Sequence, residues 1–235
     1  MPDFGSYCPI ALGTEVLADR WTPLVLRELI LGNTRFNDIT RGLPGISRSL
    51  LTQRLRHLER KGVVERWNGE YHLTPAGKGL EPVIIELGRW AVEWLYDDLQ
   101  PHDVEATTLM WWLHRRVDAD RLPPGRVVLQ FDHTKPVKQS IWLVLDRGEP
   151  SVCMTHPGFD ADVVITMATP VLGEVFNGYR TWHDAVAAGD IVLAGPPSLL
   201  RPLPKWFAWS PFADVTAVRT RRADRPAPRT RRGAG

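Results

Sequence analysis

The sequence has few cysteines and no long apolar segment, and these absences limit what the protein can be. Cys8 and Cys153 are the only cysteines among 235 residues, so we expect no disulfide framework and take the reducing cytoplasm as the location. No apolar run approaches the roughly 20 residues that span a bilayer, and the N-terminus has no basic segment followed by an apolar one. We therefore predict a cytoplasmic protein that does not associate with a membrane.

Catalytic and metal-binding motifs are absent as well. The sequence contains no His-Glu-x-x-His, no Gly-x-Ser-x-Gly and no glycine-rich phosphate-binding loop. The histidines of the C-terminal half do not stand at ligand spacing with a third donor nearby. We therefore predict no enzyme activity, no catalytic residue, no metal site and no cofactor.

Positive charge is concentrated in two segments, although the net charge is only +2. Residues 20–66 contain ten Lys and Arg against four Asp and Glu, and residues 219–235 contain seven Arg against one Asp. This asymmetry is typical of a nucleic-acid-binding face rather than of a uniformly basic protein. The Arg-rich tail, 219–235, is predicted to be disordered. It either adds non-specific DNA affinity or serves as a solubilising end.

The first predicted domain, residues 7–100, has the pattern of a winged helix-turn-helix. Its first helices are predicted at residues 9–17, 22–31 and 35–41, followed by a longer helix that Ser47 caps. In that longer helix Leu51, Leu55 and Leu58 recur at helical spacing and predict a buried side. The segment after it alternates on either side of Asn68-Gly69, which is the strongest short signal of a two-stranded hairpin, or wing.

The polar side of the longer helix predicts the DNA-reading surface. Such a helix can lie in the major groove, where Arg suits guanine and Gln suits adenine. The predicted reading residues are Arg48, Ser49, Thr52, Gln53 and Arg56. The predicted phosphate contacts, which make binding salt-dependent, are Arg54, Arg60 and the wing residue Arg66.

A helical region over residues 75–98, which Pro82 should kink or restart, has apolar residues on more than one side. One side is predicted to pack on the domain and another to meet a second copy of the chain, which gives a homodimer. The alternative is a core helix in a monomer.

Residues 104–216 predict a second domain of α+β class with a mainly antiparallel sheet. A helix over residues 104–117 precedes strands at 126–133, 139–146, 151–155 and 162–167. Further helices begin at Thr169, Thr181 and Ser198, and a strand covers 190–194. The fold class of the whole chain is therefore α+β.

Residues 19–66 and the segment after the hairpin resemble the HxlR family of bacterial winged-helix regulators. The shared residues are Trp21, Leu26-Arg-Glu-Leu, Arg35-Phe36, Gly45-Ile-Ser, Leu51-Thr, Arg54-Leu55, Leu58-Glu59 and Leu73-Thr-Pro-x-Gly. The resemblance implies binding of double-stranded DNA and dimerisation through the terminal helices. Family wings are usually longer and contain proline, so only phosphate contact is expected from Arg66.

Cys8-Pro9 also matches this family, some of whose members sense electrophiles or oxidants through a cysteine at this position. The cysteine precedes a predicted helix, and the positive end of the helix dipole favours the thiolate. Cys8 is therefore a candidate redox residue. The alternative is a small buried apolar residue.

The second domain resembles the sterol-carrier-protein-2-like fold. The resemblance rests on the strands Ile141-Trp-Leu-Val-Leu and Ala161-Asp-x-x-Ile165, a helix ending Phe176-Asn-Gly, and Ala188-Gly-x-Ile-x-Leu-x-Gly195. It implies an apolar cavity, and such pockets are mostly lined by apolar and aromatic side chains. The candidate lining residues are Trp111, Trp112, Trp142, Phe176, Trp182 and Trp206. The alternative is that these rings only fill the core.

Taken together, the sequence predicts a dimeric DNA-binding transcriptional regulator, a repressor of a palindromic operator, that an apolar small-molecule effector modulates through the C-terminal domain. One alternative is a thiol-based sensor that acts through Cys8. Another is a lipid carrier in which the winged helix is a protein-interaction module.

Overall fold

The computed structural model describes residues 8–95, 105–146 and 150–223, and these form two compact units. Of the described residues, the first unit holds 8–88 and 107–115, and the second unit holds the remainder.

The first unit has the predicted winged helix-turn-helix order. Its helices are α1 (Pro9–Leu17), α2 (Thr22–Ile30), α3 (Phe36–Arg41) and α4 (Arg48–Arg60). The wing consists of β1 (Val64–Trp67) and β2 (Glu70–Leu73), which pair antiparallel with Trp67 opposite Glu70. Two further helices follow, α5 (Pro75–Lys78) and α6 (Glu81–Trp94), and α6 passes into the second unit after Gly88. The predicted region 75–98 is therefore interrupted before Pro82, which occupies the first turn of α6, where a missing N–H costs nothing. Residues 96–98 lie outside the described part.

The sequence of α4 explains why it turns one side inward. Ser47 caps the helix, and its hydroxyl accepts a hydrogen bond from the Leu50 amide at 3.2 Å. Leu51, Leu55 and Leu58 are buried at the predicted spacing and join the core formed by α2, α3 and the wing. Burial of three leucines fixes the rotation of α4, so that its polar side faces outward.

The second unit is built on a five-stranded sheet. Its strands are β3 (Val127–His133), β4 (Gln139–Leu145), β5 (Ser151–Cys153), β6 (Val163–Met167) and β7 (Ile191–Ala194). The spatial order is β5-β4-β3-β6-β7, in which only the β3–β6 pair is parallel. The expected mainly antiparallel sheet and the α+β class are thus observed. The alternating burial of β4, with Ile141 and Leu143 inaccessible and Trp142 half-buried, shows that one sheet face carries the core.

Helices α8 (Thr169–Asn177), α9 (Trp182–Ala187), α10 (Pro197–Leu200) and α11 (Ala213–Ala223) complete the second unit. The helix predicted from Ser198 to Trp209 is instead the short α10 followed by a 3-10 turn at Leu203–Trp206. Pro202 and Pro204 explain the difference, because each removes a backbone donor that a continuous helix needs.

The helix predicted at residues 104–117 is present as α7 (Ala106–His114), but residues 107–115 belong to the first unit rather than to the second domain. The reason is a set of contacts with α2 and α3. The Arg27 guanidinium lies 5.2 Å from the centre of the Trp112 ring, and that of Arg41 lies 5.4 Å from the Trp111 ring. Cation–π contacts thus attach α7 to the helix-turn-helix.

The prediction of disorder from residue 219 onward is wrong for residues 219–223. Helix α11 runs to Ala223, so residues 219–223 are helical, and residues 224–235 lie outside the described part of the chain. Alanine and arginine favour helix, and Thr216 is buried within α11, which ties the helix to the second unit.

A glycine at the end of α8 allows the packing between α8 and α11 to be tested. Gly178 has φ 83°, and a Cβ added there would lie 2.4 Å from the Ala213 carbonyl oxygen. Gly189 has a similar φ of 77° but open space around it. Both substitutions to Ala should cost about 1–2 kcal/mol of left-handed strain, and Gly178→Ala should cost a further 1–3 kcal/mol or so from overpacking. Urea unfolding of the two variants measures the difference; equal losses would show that Ala213 moves aside.

Candidate nucleic-acid interface

The outward side of α4 gathers most of the predicted DNA-reading residues. Ser49, Gln53, Arg56 and Arg60 are exposed, and Thr52 is half-buried with its hydroxyl donating to the Arg48 carbonyl at 2.8 Å. A shallow depression of about 510 Å³ is lined by Ser49, Thr52, Gln53, Arg56, Glu59 and Arg60. Glu59 is the one lining residue that the sequence analysis did not select. This surface offers two guanidinium groups, one amide, two hydroxyls and the carboxylate of Glu59 to a partner.

Arg48 is held in place by α3. Its Nη1 donates to the Asn37 Oδ1 atom at 3.2 Å, and its guanidinium lies 4.8 Å from the centre of the Phe36 ring. Arg48 therefore connects the two helices of the helix-turn-helix while remaining exposed. The contact fixes where its charge lies at the N-terminus of α4.

Arg54 differs from the other arginines of α4 because its charge is already paired. Its Nη1 lies 2.9 Å from the Asp19 Oδ2 atom, and only 18% of the Arg54 side chain is exposed. Lys61, just past the helix, is 2.7 Å from the Glu15 carboxylate. The structure thus places Arg54 against the α1–α2 connection, away from the exposed set, and does not favour the predicted phosphate contact.

The turn end of the wing is anchored to the loop between α2 and α3. The Tyr71 amide donates to the Thr34 carbonyl at 2.8 Å. The Glu70 carboxylate accepts hydrogen bonds from Arg35 at 2.9 Å and Thr34 at 3.1 Å, and these bonds hold its pKa below the usual range. Arg66 is exposed, and its guanidinium lies over the Tyr71 ring. The wing is therefore short but fixed at both strands.

A buried carboxylate fixes the turn of the helix-turn-helix, and sequence reasoning did not find it. Glu28 has no exposed surface, and its two oxygens accept from Arg27 at 2.7 Å and from Asn33 at 2.6 Å. Burial raises the pKa of Glu28, and the charge of Arg27 opposes this shift. Arg27 also donates to the Gly42 carbonyl, and a Cβ at Gly42 would overlap the Glu28 carboxylate. The sequence did contain a signal for this network. Glu28 stands on an otherwise apolar side of α2, and Gly42 follows the next helix.

The six residues predicted to line a ligand pocket are divided between the two units. Trp111 and Trp112 belong to the first unit, as described above. Trp206 and Phe176 are buried, at 1% and 5% exposure, as core residues of the second unit are. Trp142 donates to Gln130 on the half-buried sheet face. The Trp142 ring also packs edge-to-face against His156, and Trp182 joins a group of rings with Phe207 and Trp209.

That accessible ring cluster consists of Trp182, Phe207 and Trp209. The Trp182 and Trp209 ring centres are 5.9 Å apart, and those of Phe207 and Trp209 are 5.7 Å apart. Trp182 and Trp209 are half-buried, whereas Phe207 is buried. The rings are tilted against one another, by 32° and 45°, and form a partly accessible apolar cluster within the second unit.

The thiol of Cys8 is exposed and directly precedes α1, with Pro9 in the first turn. The described residues contain no group of three or more His, Cys, Asp or Glu that could hold a metal ion. No helix within the described ranges is long and apolar enough to cross a membrane.

The wing and the exposed, partly basic side of α4 define a winged-helix DNA-binding protein. The model of the HxlR-like helix-turn-helix family matches residues 16–98. The HTH-type transcriptional regulator YvaP of Bacillus subtilis (strain 168) is 38% identical over 96 residues, which cover 37% of this chain and 89% of YvaP. The regulator sll1512 of Synechocystis sp. is 38% identical over 98 residues, 39% of this chain and 73% of sll1512. The chain belongs to the HxlR-like helix-turn-helix family.

Among solved structures, quinone-bound YodB from B. subtilis is 35% identical and matches 37% of this chain and all of its own, with a TM-score of 0.35. The similar proteins YvaP and sll1512 are named as transcriptional regulators, which are not enzymes. This agrees with the lack of catalytic motifs in the sequence. The family match ends before the second unit's sheet begins.

Two arginines of α4 make a matched pair for testing which charges meet DNA. Arg60→Ala should lower the slope of log affinity against log salt by about one, because an exposed arginine that contacts phosphate is lost. Arg54→Ala should leave the slope unchanged and lower the free energy of unfolding by up to about 1 kcal/mol, because it removes a partly exposed ion pair. Titration of a mixed-sequence duplex at several salt concentrations measures both slopes. A lowered slope for Arg54→Ala would contradict the assignment.

Proposed function

We propose that the protein is a sequence-specific, dimeric repressor of transcription in which α4 reads the DNA major groove. The observation that carries this proposal is the division of α4 into a side of three buried leucines and a side that exposes Ser49, Gln53, Arg56 and Arg60. Gln53 and Arg56 carry the side-chain types that form paired hydrogen bonds with adenine and guanine. Arg48, at the N-terminal end of the helix, adds to the reading residues, and Arg60, at its C-terminal end, meets a phosphate beside the groove.

An apolar stripe on α6 supports the dimer. Val83, Leu87, Trp90 and Trp94 repeat at helical spacing and are 46%, 51%, 54% and 71% exposed. In α1, which has no fully buried residue, Ile10 is 77% exposed. A stripe of large apolar side chains in contact with water is typical of a protein–protein interface. A second copy of the chain would cover it, and two-fold symmetry would then present two α4 helices to a palindromic operator.

The second unit supplies the effector site in this proposal. The ring cluster of Trp182, Phe207 and Trp209 supplies the large aromatic side chains that typically line a small-molecule site. The sterol-carrier-like resemblance of the sequence points to the same class of ligand. Binding would regulate transcription if the ligand favours one of two dimer geometries over the other.

Selection from a randomised duplex library tests the DNA-binding function. We expect the full chain to recover two inverted half-sites whose centres lie about one helical turn apart. Gln53→Ala and Arg56→Ala should each weaken binding to the recovered duplex by about 1–3 kcal/mol and relax preference at one base pair. Arg60→Ala should instead weaken all sequences alike. Recovery of unrelated sequences with no common half-site would contradict sequence-specific recognition.

The α6 stripe gives a second prediction. Trp90→Glu should convert the dimer to a monomer, because it places a charge in the centre of an apolar interface. Sedimentation velocity measures the mass. Lys138→Glu, an exposed charge change in the second unit outside the stripe, should leave the dimer intact. A dimeric Trp90→Glu variant would show that the stripe is not the interface.

A second candidate function is thiol-based sensing, which the exposed thiol of Cys8 favours. Helix α1 contacts the C-terminal part of α4, since the Glu15 carbonyl lies 3.2 Å from His57 Nε2 and the Glu15 carboxylate pairs with Lys61. An electrophile that forms a carbon–sulfur bond at Cys8, with loss of the thiol proton, would change the end of this helix. Quinone treatment should then release DNA from wild type and from Cys153→Ser but not from Cys8→Ser. Equal release from all three would exclude Cys8 as the sensor.

A further inference from the structure

One acidic side chain lies on the proposed DNA-reading side of α4. Glu59 is the acidic member of the set that lines the depression there, and it is half-buried. Arg56 stands three residues before it and Arg60 directly after it, so all three share one side of the helix. A carboxylate in a surface that meets a polyanion requires a physical explanation, because phosphate groups repel it.

The carboxylate of Glu59 is not neutralised within the described part of the chain. It forms no ion pair and no side-chain hydrogen bond there, although two arginines are its neighbours on the helix. Three other glutamates of the same unit are each bonded to a basic side chain: Glu15 to Lys61, Glu28 to Arg27, and Glu70 to Arg35. The Glu59 carboxylate is therefore available to accept hydrogen bonds from a bound partner.

The major groove offers a carboxylate few favourable positions. Guanine presents two acceptors there, N7 and O6, and thymine presents the O4 acceptor and a methyl group. Adenine places the acceptor N7 beside its N6 amino donor. Cytosine presents the N4 amino donor alone, so it is the base that a carboxylate can meet without facing an acceptor of the same base.

The spacing of Glu59 from Arg56 decides which base pair it meets. Side chains three residues apart on a helix have Cβ atoms about 5–6 Å apart, and consecutive base pairs are about 3.4 Å apart. Arg56 and Glu59 are therefore close enough to meet consecutive base pairs, with Arg56 on guanine. Arg60, on the other side of Glu59, adds a second cation that offsets the repulsion between the carboxylate and nearby phosphates.

We propose that Glu59 is a specificity-determining residue, which accepts a hydrogen bond from the N4 amino group of a cytosine in the base pair next to the one that Arg56 reads. The inference rests on the proposed DNA-binding function and names one base of the operator half-site. In other sequences the carboxylate faces an acceptor, so Glu59 also lowers the affinity for DNA that lacks this cytosine.

The first test repeats the selection from a randomised duplex library with Glu59→Gln, and with Glu81→Gln as the matched control. Glutamine has nearly the shape of glutamate, carries no charge and suits adenine. Wild type and Glu81→Gln, which removes an exposed carboxylate outside the α4 surface, should both recover a constant C·G pair in each half-site. Glu59→Gln should lose that cytosine and recover adenine or no preferred base in its place.

A modified duplex tests the contact itself. Replacement of the selected cytosine by 2-pyrimidinone deletes the N4 amino group, and should weaken wild-type binding about tenfold, as expected for the loss of one base contact. Glu59→Gln should bind the modified and unmodified duplexes alike. Because the weaker base pairing of the analogue affects both proteins, the comparison between them isolates the contact with Glu59.

An unchanged preference for cytosine in Glu59→Gln would overturn this inference while leaving the proposed function intact. Equal weakening of both proteins by the analogue would overturn it as well. So would a gain of affinity in Glu59→Gln that is the same for the selected duplex and for random duplexes, since the carboxylate would then only repel phosphates. If wild type recovers no common half-site, the proposed function fails and this inference fails with it.

Discussion

The helix-turn-helix depends on one buried carboxylate. Glu28 has no contact with water, and a buried charge is tolerated only when it is paired and hydrogen-bonded. Arg27 and Asn33 satisfy its two oxygens, and Arg27 reaches on to the carbonyl of Gly42. This network joins the end of α2 to the turn after α3, and so sets the place from which α4 starts. A glycine is required at position 42 because the carboxylate occupies the space of a Cβ.

The basic side chains of the first unit fall into two sets. Those of the first set form ion pairs within the protein: Arg54 pairs with Asp19, Lys61 with Glu15, and Arg35 with Glu70. These pairs hold α1, α4 and the wing in position. The other set includes exposed arginines that have no ion-pair partner within the described part of the chain, namely Arg48, Arg56 and Arg60 on α4 and Arg66 on the wing. The net charge includes both sets of side chains. Only the second set can bind a polyanion without first breaking an ion pair.

Helix α7 shows how the two units are linked through the chain. It stands in sequence just before the sheet of the second unit, yet its tryptophans contact arginines of α2 and α3. Arg27 thus contacts both the buried Glu28 and the Trp112 ring.

Much of the fold could be predicted from the sequence because it depends on neighbours along the chain. The leucine spacing of α4, the Ser47 cap, the Asn68-Gly69 turn and the alternation of the sheet strands are short-range patterns, and each element was found close to its predicted position. Errors arose where proline density shortened a helix after Ser198 and where α11 continued past residue 219.

The sequence by itself determined that the protein is a winged helix followed by an α+β unit, and which side of α4 faces outward. Only the tertiary structure decided which side chains on that side are available. Arg54 is paired with a residue 35 positions earlier. Trp111 and Trp112 belong to the first unit, although their place in the sequence predicted the second domain. Trp67 projects from a fixed hairpin. The physical reason is that helix and strand patterns reflect local backbone geometry, whereas ion pairs, ring contacts and exposure depend on residues brought together from distant parts of the chain.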